Sequence, residues 1–244
     1  MALGLPQDEL WAAHLAGKQQ LLETVHVRTG LTLDPDAFTI GFARRATAYK
    51  RADLIFGDLD RLKDIAAGSG AFQFVFAGKA HPSDAEGKEL IRRIYRAKKA
   101  LRRELRIAYL DDYNMEIAAK MTAGVDLWLN TPQYPLEASG TSGMKAAVNG
   151  VPSLSVLDGW WTEGHIEGVT GWSIGGPRSA GAPDPGASGE MDSLYRKLQD
   201  VILPLYYKQR PGYISVMQHA IAINGAFFNT QRMLQQYVSR AYFR

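Results

Sequence analysis

Cysteine is absent from all 244 residues. That removes both a disulfide framework and any thiolate metal site, and it makes a reducing compartment, the cytoplasm first, the expected home. Metal-ligand spacing is missing too, because the five histidines, His14, His26, His81, His165 and His219, form no pair at short separation. No apolar run reaches bilayer-spanning length, and the opening MALGLPQDELWAAH lacks the basic-then-apolar order of a secretory leader. A large charge of one sign is also missing: the formal net charge of +3 suits anionic ligands without singling out nucleic acid. Neither a membrane nor a nucleic acid is therefore expected as a partner. The densest basic stretch, IRRIYRAKKALRRELR at 91–106, winds its charges around an apolar stripe of Ile91, Ile94, Tyr95 and Leu101, and reads as a solvated helix face.

What is present is an ordinary globular balance of 46% apolar and 22% charged residues, enough to bury a sizeable core. Strand and helix patterns alternate along the chain. Short apolar runs at 37–43, 72–78, 105–110, 125–129 and 153–157 predict strands, with an edge strand near 172–174. Helical spacing or helix-start signals predict helices at 8–27, 49–67, 84–101, 113–122 and 141–149. Fully apolar strands separated by helices imply a parallel sheet covered on both faces, an α/β doubly wound, Rossmann-like fold whose ligands bind at the carboxyl ends of the strands. The expected organisation is one such domain over 1–174, a flexible Gly/Pro/Ala/Ser-rich loop at 175–189, and C-terminal helices at 190–208 and 211–242 that pack on this domain or reach a neighbouring one.

Two post-strand loops hold the residues suited to chemistry. After the first strand come Arg44, Arg45, Lys50 and Arg51, four cations expected at a helix N-terminus, where free N–H groups and the dipole already favour anions. A phosphate site and a basic surface cluster both fit that pattern. After the fourth strand, Ala138-Ser139-Gly140-Thr141-Ser142-Gly143 offers small residues ahead of a helix, so that backbone amides can approach an anion closely. Neither the Walker pattern nor GxGxxG is present. Glu137 is placed to accept hydrogen bonds from sugar hydroxyls, and Lys145 lies one turn into the following helix. Position alone leaves both open between a solvated surface residue and a functional one.

The segment Glu137-Ala138-Ser139-Gly140-Thr141-Ser142-Gly143-Met144-Lys145-Ala146-Ala147-Val148-Asn149 resembles the cofactor-attachment signature of the glycogen and α-glucan phosphorylases. Further matches follow in order: Arg44-Arg45 with Tyr49-Lys50-Arg51, Gly78-Lys79-Ala80, Tyr113, Asp158-Gly159, and Phe228 to Met233. Trp160-Trp161 with Glu163 resembles the shorter bacterial and archaeal branch.

The resemblance implies pyridoxal 5'-phosphate carried on Lys145, its phosphate held by Arg44, Gly140 and Thr141, and Tyr113 beside it. It implies Arg45 and Lys50 on the substrate phosphate, and Glu137, Ser139 and Gly140 on the glucosyl unit. The catalytic set so implied is Lys145, Arg45 and Lys50. The activity implied is phosphorolysis of an α-1,4-glucan by inorganic phosphate to glucose 1-phosphate, a glycosyltransferase reaction in which the cofactor phosphate passes the proton. Where animal and yeast enzymes carry arginine after the tyrosine, this chain has Asn114. Such enzymes face two Rossmann-like domains across the active site, so the implied partners include an N-terminal phosphorylase domain, and a homodimer is allowed. The opening strand of the domain is expected before Met1, and the chain alone is expected to be inactive. Two other readings stand beside this one. A nucleotide-sugar glycosyltransferase of the glycogen synthase type would carry a second Glu where Lys145 stands, and a noncatalytic glucan-binding module would keep the fold without turnover.

Overall fold

The computed structural model describes residues 2–176 and 186–243. Six parallel strands, β1 (Phe38–Ala43), β2 (Phe72–Ala77), β3 (Arg106–Leu110), β4 (Leu127–Asn130), β5 (Ser153–Val156) and β6 (Gly171–Ile174), form one sheet in the order β3-β2-β1-β4-β5-β6. This is the doubly wound order expected from the alternation, with β6 at one edge.

The strands are mostly apolar and, Arg106 apart, buried because both faces are covered, and the two faces differ in bulk. Phe38, Ile40 and Phe42 of β1 point to one side with Phe72, Phe74 and Phe76 of β2 and Leu127 and Leu129 of β4. Ala43, Val75, Ala77, Ala108 and Trp128 point to the other. The bulky face is covered by α2 (Leu59–Gly68), α3 (Ala85–Ala100), α7 (Gly186–Arg196), α8 (Leu203–Lys208) and α9 (Arg210–His219); the slimmer face by α1 (Gln7–Thr29), α4 (Met115–Gly124) and α5 (Thr141–Val148). A phenylalanine as buried as Phe74, 0% exposed, contributes roughly 1.5–3 kcal/mol by leaving water.

Several expectations are corrected. The helix expected at 49–67 starts only at Leu59: residues 48–50 and 54–56 make single 3₁₀ turns, Arg51 sits at φ 45°, and Asp58 caps α2 by accepting from the Arg61 N–H. The cations of the first loop therefore do not lie at a helix N-terminus. The last expected helix is broken. After α9 a π-helical stretch (Ala220–Gly225) gives way to a bend at 228–229, where Asn229 caps a separate α10 (Thr230–Tyr237), followed by a second π-helical stretch (Val238–Tyr242). A short α6 (Trp161–Gly164) stands where no helix was expected. Of the loop expected at 175–189, residues 186–189 already belong to α7, and 177–185 lie outside the described residues.

Candidate active site

Strands β1 and β4 are neighbours in the sheet, Ile40 opposite Leu127 and Gly41 opposite Trp128, yet their chains depart in opposite directions. A doubly wound sheet opens a crevice at this point, outside the carboxyl ends of the strands. Both loops singled out in the sequence leave from it. They are stapled together: the Thr131 hydroxyl donates to the Lys50 and Arg51 carbonyls, and the Gln133 N–H donates to the Tyr49 carbonyl at 2.7 Å.

The four cations of the first loop take different places. Arg44 Nη1 lies 2.7 Å and Lys50 Nζ 2.5 Å from the same oxygen, Oε2 of Glu137, with all three side chains 8–9% exposed. Burial alone would push the Glu137 carboxyl up, but Arg44 and Lys50 more than offset it and hold it below the usual carboxylate range. Arg45 is exposed and, among the described residues, makes no ion pair. Arg51 turns away from the crevice, donating to the Thr131 and Pro132 carbonyls at 2.9 and 2.7 Å and pairing with Glu190 at 2.5 Å. Tyr113 is partly buried. Its burial pushes the phenol up and the Arg44 charge draws it back, which places the ring in the field of that guanidinium. Asn114 supplies no cation; its side chain caps α4 by accepting the Ile117 N–H at 3.0 Å.

The second loop delivers Lys145. Gly140, at φ 90°, forms the N-cap of α5, a backbone state that a residue with a Cβ rarely adopts. A Cβ built there would stand 3.8 Å from Arg44 Nη2, so the guanidinium lies against the start of the helix that carries Lys145. Thr141 and Lys145 are exposed and, with Ala138, Ser139 and Gly159, line an open cleft of about 740 Å³. The helix that carries Lys145, its glycine cap and the Arg44–Lys50 pair thus lie at one end of the sheet. Glu137 is interposed between the two cations.

Two features escaped the sequence reading. Asp158, 6% exposed, ties the loops after β4 and β5: its carboxylate accepts the Glu137 N–H and the Gly159 N–H, both at 2.9 Å. Gly159, at φ 56°, backs so closely onto the Ser139 carbonyl that a Cβ would come within 2.4 Å of it. The Asp158-Gly159 pair was visible as a match, but its role depends on contacts to residues about twenty positions earlier. The far wall of the cleft is the second feature. Phe227, Phe228, Arg232 and Met233 of the C-terminal tail form it, with Arg232 lying over the Phe227 ring at 3.3 Å. The Phe228–Met233 match was the available signal.

Three buried polar atoms at this end, Thr47 Oγ1, Asn130 Oδ1 and Ser142 Oγ, have no hydrogen-bond partner among the described residues, an arrangement that favours a polar ligand. Among the same residues, no group of carboxylates and histidines is placed to hold a metal, and no helix is long and apolar enough to cross a membrane.

Comparison with known proteins accords with this geometry. The chain is 42% identical to a glycogen phosphorylase of Aquifex aeolicus over 98% of its own length and 37% of that protein's. It is 41% identical to a maltodextrin phosphorylase of Thermococcus litoralis over 98% of its length and 30% of that protein's. A glycogen phosphorylase of Mycobacterium tuberculosis is 37% identical over 86% of the chain and 25% of the relative. The chain therefore spans little more than a third of the length of these relatives, at most. Residues 6–166 match the family described as carbohydrate phosphorylase, and with a match over that much of the chain, the protein belongs to the carbohydrate phosphorylase family.

Proposed function

We propose that this chain is the pyridoxal-phosphate-carrying part of an α-1,4-glucan phosphorylase, acting with an N-terminal phosphorylase domain on glucan and inorganic phosphate to give glucose 1-phosphate. One observation carries the reading: Arg44 and Lys50 converge beside the glycine-capped start of the helix that presents Lys145 to a cleft.

The residues present fit the cofactor. Lys145 is an exposed amine on the cleft, Gly140 caps the helix start at a positive φ with Arg44 close by, and the unpartnered Ser142 and Thr47 hydroxyls are suited to phosphate oxygens. In this assignment Lys145 holds pyridoxal 5'-phosphate, Arg44, Gly140 and Thr141 hold its phosphate, and Tyr113 lies beside it. When bound, the cofactor supplies a phosphate group able to exchange a proton with the substrate phosphate. The chain's own residues do the rest. Lys50, with Arg45 brought in from the solvent edge, holds the attacking phosphate. Two neighbouring phosphates repel strongly in a partly desolvated cleft, and the clustered cations lower that repulsion. Glu137, kept ionised, is an acceptor for sugar hydroxyls together with Ser139 and Gly140. The exposed apolar residues Met233, Leu234, Tyr237, Tyr242 and Phe243 are the surface we assign to the companion domain.

The test is to supply maltodextrin, inorganic phosphate and pyridoxal phosphate to the chain, alone and mixed with the N-terminal remainder of the Thermococcus litoralis relative. Glucose 1-phosphate is expected from the mixture only, and not when Lys145→Ala replaces the native chain. Release by the chain alone, or by the Lys145→Ala mixture, would contradict the proposal.

A further inference from the structure

The two cations assigned to phosphate already share an anion that belongs to the chain. Arg44 and Lys50 both meet Glu137 through its Oε2, so one rotatable side chain neutralises both. The backbone of Glu137 is fixed independently, since its N–H donates to Asp158 Oδ2 while Asp158 Oδ1 accepts from Gly159. A displaced carboxylate would therefore move by side-chain torsion, leaving the loop where it is. A phosphate and a carboxylate competing for the same two donors repel each other, and the repulsion grows as water is excluded.

We infer that Glu137 is a built-in counterion for the phosphate site: an oxyanion that docks between Arg44 and Lys50 displaces its carboxylate, which is thereby released toward the sugar. This rests on the phosphate-site reading above and goes beyond it by fixing the sign of the coupling. Phosphate binding frees the acceptor that the glucosyl unit needs, so each ligand strengthens the other. Were Glu137 instead a permanent brace that orders the two cations for phosphate, its removal would weaken phosphate binding. The two accounts predict opposite signs.

The experiment titrates inorganic phosphate into the 244-residue chain by calorimetry at neutral pH, in the native form and as Glu137→Gln, Glu137→Ala and Lys50→Met. Both Glu137 variants should bind phosphate more tightly, on the order of tenfold, as expected when one like charge leaves a partly screened anion site. Lys50→Met should weaken binding. Equal or weaker binding by both Glu137 variants, with Lys50→Met still weakening it, would overturn the counterion role and leave the phosphate site standing. Phosphate binding that is absent throughout, or indifferent to Lys50→Met, would overturn the site reading and the counterion role together. A parallel titration with pyridoxal phosphate against pyridoxal separates the two sources of phosphate. A gain confined to inorganic phosphate assigns the displaced position to the substrate, whereas a gain with pyridoxal phosphate as well assigns it to the cofactor.

Discussion

Asp126 and Glu137, two carboxylates largely withdrawn from solvent, are each held by two basic side chains at opposite ends of the same sheet. At the amino end, Asp126 is 0% exposed, with Oδ1 on His14 Nε2 at 2.8 Å and Oδ2 shared by Lys18 Nζ at 2.8 Å and the Thr39 N–H at 2.7 Å. Lys18 donates further to the Ala37 carbonyl and stands 3.3 Å from the Tyr206 hydroxyl. At the carboxyl end, Glu137 places both cations on one oxygen, retains some exposure, and directly precedes Ala138 and Ser139 of the cleft wall. The first carboxylate has its donors spread over both oxygens and no route to solvent, and it pins α1 to the sheet. The second has both cations on Oε2 and neither on Oε1. The same charge pattern is a structural tie where every group is enclosed, and an exchangeable contact where one side is open.

The sharpest way to break that contrast is to remove each carboxylate. Asp126→Ala leaves Lys18 charged and enclosed, and should cost about 3–5 kcal/mol in urea denaturation; a loss under about 1 kcal/mol would show that the amino-end network is not a structural tie. Acid titration probes the same tie without mutation. Burial pushes Asp126 up, but Lys18 and His14 outweigh it and hold the carboxyl below its ordinary value. A carboxyl depressed in the folded state lends stability above its unfolded pKa and loses it as pH falls through the folded one. Glu167, exposed at its edge, behaves alike: burial raises it, and His165, Lys197 and Ser173 bring it down to about 2. Stability should therefore be flat from neutrality to about pH 5 and fall below about pH 4. Circular dichroism at graded pH checks this, and Asp126→Asn should flatten the acid limb.

Smaller effects sharpen the other side of the comparison. Asn114→Ala removes the cap of α4 and should cost about 1 kcal/mol, measured by thermal melting, while leaving phosphate binding intact. That would mark Asn114 as structural although it follows Tyr113. Glu137→Gln should change stability by less than about 1 kcal/mol, because the amide keeps the side chain's shape and an oxygen that still accepts from Arg44 and Lys50.

Much of the fold could be read from the sequence because its strands are short, mostly apolar runs such as FQFVFA, set between helical segments. The misread helix at 49–67 shows what local pattern omits. Helix-compatible residues there are held in single turns by distant partners: Arg51 is fixed by carbonyls eighty residues later in the chain, and Thr131 returns bonds to the Lys50 and Arg51 carbonyls. Tertiary contacts outweigh propensity at that point. For the site, the loop chemistry of Gly140 and the place of Lys145 on α5 were legible from the order of residues. The meeting of Glu137 with Arg44 and Lys50 was not, because a contact across 87 positions leaves no trace in local spacing. Asp158 was hidden for the same reason.

The account stands on Lys145 and the Arg44–Lys50 pair forming one phosphate-directed site. Reductive trapping tests it most directly: pyridoxal phosphate in excess, borohydride, and peptide mapping of the 244-residue chain. Labelling should concentrate on Lys145, fall when pyridoxal lacking the phosphate is used, and fall again in Lys50→Met. Label spread evenly over the exposed lysines, with no preference for the phosphorylated reagent, would contradict it.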